Sequence, residues 1–181
     1  GITSISQPTP CWRYGKPYYD APSLLFPYRD TDGKLLNVQS RYLGKESGVP
    51  RFRFPSGSEC HIFGLQSLKL LKPGEPLYIS EGITDCMALM SAGHKTIAIP
   101  SATLLKVDDL KPIKELAEKF SSSSSLSLTL ELHIYPDKDQ AGEQLYRQLA
   151  YLAPKIGCLL IRETLPEEFK DFGAYWASIN S

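Results

Sequence analysis

Two acidic clusters carry the most pointed chemistry in this sequence. Glu81 and Asp85 follow the short apolar run at 77–80, and Asp137 and Asp139 follow a second apolar run at 132–135. Ligands of open parallel sheets gather at the carboxyl ends of the strands, so two strands ending this way would bring four carboxylates to one rim. Like charges held close are costly unless a cation lies between them. Oxygen donors with no His or Cys nearby favour Mg²⁺, which keeps some water and takes phosphate oxygens as further ligands. Each cluster alone says little, because an acid at a helix start complements the helix dipole and Asp is a good cap. Their coincidence on one sheet edge is what points to metal.

The elements that must position these residues are legible from periodicity. Residues 77–80 read as a buried strand, 83–92 as a helix with Gly93 as its C-terminal cap, and 96–99 as the next strand. Residues 107–120 place Leu110, Ile113, Leu116, Ala117 and Phe120 at helical spacing, and 128–135, 140–152 and 157–161 follow as strand, helix and strand. Strands alternating with helices predict βαβ units and a Rossmann-like, mainly parallel α/β sheet flanked by helices. Before it lies a small mixed, β-rich region. Residues 24–29, a turn at 30–33 and residues 35–43 read as a hairpin. At 51–54 Arg and Phe alternate, which predicts Phe52 and Phe54 in the core and Arg51 and Arg53 facing solvent or phosphate. Residues 1–22, with four prolines, read as an irregular arm packed by Trp12, Tyr14, Tyr18 and Tyr19. A short helical turn at 65–71 and the breaker stretch at 72–76 form a linker, giving a basic β-rich subdomain at 1–70 and a second domain at 71–181.

Formal net charge is zero, but residues 1–70 hold nine Lys/Arg against five Asp/Glu, and residues 71–181 hold eleven against fifteen. A basic front and an acidic rear suit a polyanion held by one and metal by the other. The four cysteines form no CxxC pair, so no zinc site is expected, and Cys86 and Cys158 read as buried small hydrophobes. No long apolar run or signal-peptide pattern stands in the sequence, which predicts no membrane partner and a cytoplasmic location. The first residue is Gly rather than Met, as expected of a domain cut from a longer protein. Ser101 and Thr103 suit a phosphate contact or a turn equally, and Tyr28 and Tyr42 suit base stacking or packing. The serine run at 121–125 reads as a flexible loop, and His61, His94 and His133 as structural residues.

Glu81-Gly82 with Asp85, followed by Asp137-x-Asp139 after a hydrophobic strand, resembles the TOPRIM domain of bacterial primases, topoisomerases and some nucleases. Phe26-Pro27-Tyr28-Arg29-Asp30 with Gly33, Gln39-Ser40-Arg41, and Phe63-Gly64-Leu65 resemble the basic N-terminal subdomain of the DnaG-type primase catalytic core. Leu165-Pro166-Glu167-Glu168-Phe169-Lys170-Asp171 resembles the stretch after the last TOPRIM strand in these primases, where a Lys-Asp pair recurs.

This resemblance implies a primase-type nucleotidyltransferase core that synthesises primers on single-stranded DNA from nucleoside triphosphates, with two Mg²⁺ or Mn²⁺ ions. Glu81 would be the catalytic TOPRIM glutamate and a metal ligand, Asp85, Asp137, Asp139 and Asp171 would be further ligands, and Arg29, Arg41, Arg51, Arg53, Lys138 and Lys170 would contact nucleic acid or nucleotide. A replicative helicase would be reached through domains outside this chain, in the bacterial cytoplasm. The sequence departs from the family at 57–61, which lacks the usual lysines, and no zinc-binding domain is present. These departures suit a diverged relative from a plasmid, phage or other mobile element. A TOPRIM nuclease using the same acids and a non-catalytic DNA-binding module of a larger replication protein stand as alternatives.

Overall fold

The computed structural model describes residues 1–6, 22–45, 47–55, 57–99, 105, 107–123 and 128–180, together with the backbone of strands at 10–13 and 16–19. The chain divides into two compact units, Gly1–His61 and Ile62–Ser181.

The first unit is antiparallel. Strands β1 (Thr3–Ile5), β4 (Ser23–Arg29), β5 (Leu35–Tyr42) and β6 (Phe52–Arg53) pair in the order β1-β4-β5-β6, and β2 (Pro10–Arg13) pairs with β3 (Lys16–Tyr19) as a separate hairpin. The expected β4–β5 hairpin is present, and its turn follows from the residues in it. Asp30 Oδ1 accepts from the backbone N–H groups of Asp32 and Lys34, and Gly33 takes a φ of 88° that favours glycine. Phe26 and Tyr28 fill the core, with the Tyr28 hydroxyl donating to Gln39 Oε1 at 3.0 Å.

Two expectations for this unit fail. The first residues are not an irregular arm, because Thr3–Ile5 pairs with β4 and residues 10–13 and 16–19 form a hairpin. Prolines are tolerated at the starts and edges of strands, where no ladder donor is needed, so four of them did not preclude pairing. Tyr14 and the side chains of Trp12, Tyr18 and Tyr19 lie outside the described residues. The second failure is confined to Phe52 and Arg53: Arg53 is 4% exposed and Phe52 is 37% exposed, whereas Arg51 is exposed and Phe54 packs on the buried Tyr28 ring, as expected. Register sets this, since Arg53 stands opposite the buried Ser40 and Phe52 stands opposite Arg41. Arg53 enters the interior with its guanidinium 5.4 Å from the Tyr42 ring.

The second unit is the expected parallel α/β sheet. Its strands β7 (Leu77–Ser80), β8 (Thr96–Ala98), β9 (Leu130–Ile134) and β10 (Cys158–Arg162) run in the order β10-β9-β7-β8 and all pair parallel. Helices α1 (Ile83–Ser91), α2 (Lys111–Ser123) and α3 (Gln140–Leu152) provide the crossovers, with a 3₁₀ turn at Val107–Leu110 leading into α2. A further helix, α4 (Phe172–Ile179), packs on α1. The sheet core joins Leu77, Ile79, Ile97, Leu132 and Ile134 to Ile113 of α2 and to Leu145 and Leu149 of α3. Leu65, Leu68 and Leu71 bury themselves in the same cluster. The segment read as a linker therefore belongs to this unit, and the division falls between His61 and Ile62, ahead of the expected 70/71 boundary. Cys86 and Cys158 are buried, as expected. Ser101 and Thr103 lie outside the described residues, as do Ser124 and Ser125, while Ser121–123 continue α2. Among the described residues no helix is long and apolar enough to cross a membrane.

In this strand order the chain moves from β7 to one side and then returns to place β9 on the other. The carboxyl ends of β7 and β9 thus flank the switch point of the sheet, where ligands of such folds settle.

Candidate metal centre and basic pocket

Glu81 follows β7 directly, Asp137 and Asp139 follow β9, and Asp171 precedes α4. Asp85 lies in the first turn of α1 and is 9% exposed. Three of these carboxylates also build structure. Asp139 is the N-cap of α3, its Oδ1 accepting from the N–H groups of Ala141 and Gly142 at 3.0 Å each. Asp171 caps α4 by accepting from Ala174 N–H at 2.7 Å. Asp85 Oδ1 accepts from Gly173 N–H at 2.8 Å, which ties α1 to the start of α4.

The structure brings all five predicted acids into one electrostatic neighbourhood. Burial, and then the charges of Asp85, Glu81, Asp171 and Asp139, push the Asp137 carboxyl up to about 7. Burial, followed by Asp139, also raises the Glu81 pKa, and burial raises that of Asp85 against the opposing Gly173 N–H. Asp139 moves the other way, lowered first by its hydrogen bond to Lys170. Glu81 Oε2 is buried with no hydrogen-bond partner among the described residues. An orphaned carboxylate oxygen beside a proton-retaining carboxyl is an arrangement short of positive charge. Among the described residues no three His, Cys, Asp or Glu side chains converge as a ready-made ligand set. The donors themselves, all hard oxygens, fit Mg²⁺ or Mn²⁺.

Two glycines that support this site were not singled out as its supports from sequence. A Cβ on Gly142 would lie 2.4 Å from the Asp137 carbonyl oxygen and 2.6 Å from its nitrogen, so only glycine lets α3 start this close beneath the β9 tip. A Cβ on Gly173 would lie 2.8 Å from Asp85 Oδ1. The readable signal was spacing: Gly142 stands three residues after Asp139, and Gly173 stands two after Asp171. Lys138 binds the tip to the following loop, with its N–H donating to Lys170 O at 3.0 Å and its Nζ to Pro166 O at 2.6 Å. Lys170 Nζ lies 2.9 Å from Asp139 Oδ2. The two lysines expected to face nucleotide are thus occupied by the carboxylate loop and its neighbour.

In the first unit the predicted cations divide into two kinds. Arg29 is committed to the β4–β5 turn through Gly33 O at 2.9 Å, and Arg53 is buried. Arg41 and Arg51 line a cavity of about 420 Å³ with Lys45, a residue sequence reasoning did not select. Among the described residues none of these three has a carboxylate partner. Burial, and then the charge of Arg51, lowers the Arg41 pKa, and the Arg41 Nε is buried with no hydrogen-bond partner among the described residues. Tyr28 is fully buried and is core; Tyr42 lies beneath Arg53. His133 bridges Glu163 and Glu131 at 2.6 and 3.3 Å, in keeping with a structural role.

Comparison with known proteins agrees with this anatomy. The chain aligns with a DNA primase domain from Pseudomonas aeruginosa at a TM-score of 0.63 and 20% identity, covering 98% of this chain and 52% of that one. It aligns with the RNA polymerase domain of Mycobacterium tuberculosis primase DnaG in complex with double-stranded DNA at 0.67 and 18%, covering 94% and 56%. A DnaG primase catalytic domain bound to single-stranded DNA gives 0.63 and 19%, covering 88% and 49%. The chain thus shares the fold of primase catalytic cores and spans about half the length of the structures it matches. No curated protein matches its sequence. A Toprim-like family model matches residues 78–176, from the second residue of β7 into α4, a span that holds all five acids. The chain belongs to the Toprim-like family.

Proposed function

We propose that this chain is the catalytic core of a DnaG-type primase, a nucleotidyltransferase that joins ribonucleotides on single-stranded DNA in the presence of Mg²⁺ or Mn²⁺. The observation that carries this reading is the charge imbalance at the switch point, where Glu81 Oε2 is buried unpartnered and Asp137 is pushed up to about 7. Glu81, Asp85, Asp137, Asp139 and Asp171 would hold the ions. When bound, two such ions supply Lewis acidity to an attacking 3′-hydroxyl and neutralise charge on the departing pyrophosphate. Asp139, fixed as a helix cap, and Asp85, fixed by Gly173, give the acids defined positions. Glu81, at the carboxyl end of β7 with its pKa raised by burial, is the group assigned to take the proton from the attacking hydroxyl.

Arg41, Lys45 and Arg51 are suited to phosphate oxygens, whose negative charge complements the three cations at this cavity. The bound DNA of two structural neighbours supports a nucleic-acid substrate. A cytoplasmic replication enzyme of a mobile element, meeting a helicase through other domains, is the setting that suits such a core.

The test is synthesis of labelled primers from ribonucleotides on a single-stranded template with Mg²⁺ or Mn²⁺. Product from wild type and none from Glu81→Gln supports the proposal. Cleavage of labelled DNA without nucleotides would instead favour the nuclease reading, and DNA binding with neither activity would favour a binding module.

A further inference from the structure

We infer that Lys170 is the resident counter-cation of the acidic rim: its ammonium holds the carboxylates together when no divalent ion is bound and must leave Asp139 for one to enter. The inference rests on the proposed metal reading of the site and concerns how that site is held and opened.

The division of labour within Asp139 is the starting point. Its Oδ1 is committed to the start of α3 through Ala141 and Gly142, while its Oδ2 meets Lys170 Nζ at 2.9 Å. Oδ2 is therefore the oxygen left for a ligand, and the lysine holds it. The pair is not a neighbouring pair on one helix; it joins the loop after β9 to the loop before α4. That second loop is anchored independently of the ammonium. Lys138 N–H donates to Lys170 O at 3.0 Å, and Asp171, the next residue, caps α4 through Ala174. The Lys170 backbone is thus fixed while its side chain is 61% exposed and able to swing on a four-carbon stem.

The charge of Lys170 also reaches beyond its partner. It acts on Glu81 and Asp85, opposing the burial that raises both. Lys138 has its own ammonium turned to Pro166 O. An ammonium and a divalent ion compete for Oδ2, because two cations repel at contact distance even in an exposed pair. Entry of the ion and departure of the lysine are therefore one exchange, and the lysine tunes metal affinity without being a ligand.

The experiment titrates Mn²⁺ into the full chain and follows the free ion by its electron paramagnetic resonance signal, for wild type, Lys170→Met and Lys170→Arg. Lys170→Met should bind Mn²⁺ at least about threefold more tightly, the scale of an exposed ion pair, and Lys170→Arg should stay near wild type. In chelator Lys170→Met should also melt below wild type, with the gap closing at saturating Mn²⁺. A merely structural lysine would not produce tighter binding. Equal or weaker Mn²⁺ binding by a natively folded Lys170→Met overturns the inference and leaves the metal reading in place, whereas absence of binding by wild type and both variants overturns the metal reading and the inference with it. Binding by Lys170→Met alone supports both. Should Lys170→Met fail to fold, Lys170→Gln, which keeps a polar tip near Asp139, carries the same measurement and the same outcomes.

Discussion

The two units treat charge in opposite ways, and within each the charges needed by the fold separate from those it does not use. In the first unit Arg53 lies over Tyr42 in the interior and Arg29 closes a turn, while Arg41, Lys45 and Arg51 surround a cavity with no carboxylate partner among the described residues. In the second unit Asp139 and Asp171 cap helices, while Glu81 keeps a buried oxygen with no partner among the described residues and Asp137 is crowded by four other acids. Arg29, Asp139 and Asp171 serve the fold through backbone partners inside it. On the proposed function, the charges left over, positive in one unit and negative in the other, would meet a polyanion and the metal that acts on it.

The strongest way to break this comparison is at Glu81. If its leftover oxygen serves chemistry rather than packing, Glu81→Gln should cut primer synthesis by about a hundredfold or more while preserving the melting temperature, the range for loss of a general acid or base. An unchanged rate would reduce Glu81 to a structural acid. Gly142→Ala attacks the same rim from beneath. The added methyl meets Asp137 backbone rather than a flexible side chain. Strain of that kind costs about 2–3 kcal/mol, so the variant should unfold at markedly lower urea in chelator, and a neutral result would mean that the β9 tip can move.

The crowding at Asp137 gives a smaller effect with a definite sign. Its carboxyl holds a proton up to about 7 in the folded, metal-free protein, against an ordinary 3.8. Between these values the folded state binds more protons than the unfolded state, so stability in chelator should fall as pH rises from about 4 to about 7. Asp137→Asn should remove that slope and raise stability near pH 8 by on the order of 2 kcal/mol, a figure reduced for solvent screening. Chemical denaturation across pH checks it, and an unchanged slope would show that the acids are not crowded. The gain should vanish when Mn²⁺ is added, since the ion compensates the charge that the substitution removes.

The second unit was legible because its signals are local. Strand runs ending in acids, helices of regular period and Gly93 at a helix end each follow from nearby residues, and the parallel sheet follows from their alternation. The 51–54 stretch shows the limit. Alternation fixed that Phe52 and Arg53 face opposite ways, but pairing with Ser40 and Arg41 decided which way, and register is a long-range property. The hairpin at 10–19 was hidden for a related reason, since prolines argue against a central strand and not against an edge. At the candidate site the residue types were readable, while Lys45 in the cavity, the closeness of Gly142 to Asp137 and the hold of Lys170 on Asp139 depend on how separate segments meet. α4 escaped notice because it is short and largely apolar, with weak periodicity.

The finest contrast lies within the first unit, between two arginines that the resemblance placed together as nucleic-acid contacts. Arg41 is half-buried and lines the cavity, 5.6 Å from the Phe52 ring, whereas Arg53 is 4% exposed beside Tyr42 and lines no part of the cavity's described wall. If the cavity takes phosphate, each cation that contacts it releases about one counterion from DNA. Arg41→Met should therefore weaken single-stranded DNA binding by wild-type-like folded protein and lower the slope of log K against log salt by about 1. Arg53→Met should leave that slope unchanged, because a guanidinium enclosed by the fold has no phosphate to meet, and its effect should appear in denaturation instead. Fluorescence anisotropy with a labelled oligonucleotide at several salt concentrations measures both. Equal slopes for Arg41→Met and wild type would remove the cavity from the nucleic-acid surface, and a lowered slope for Arg53→Met would mean that the interior of this unit opens when DNA binds.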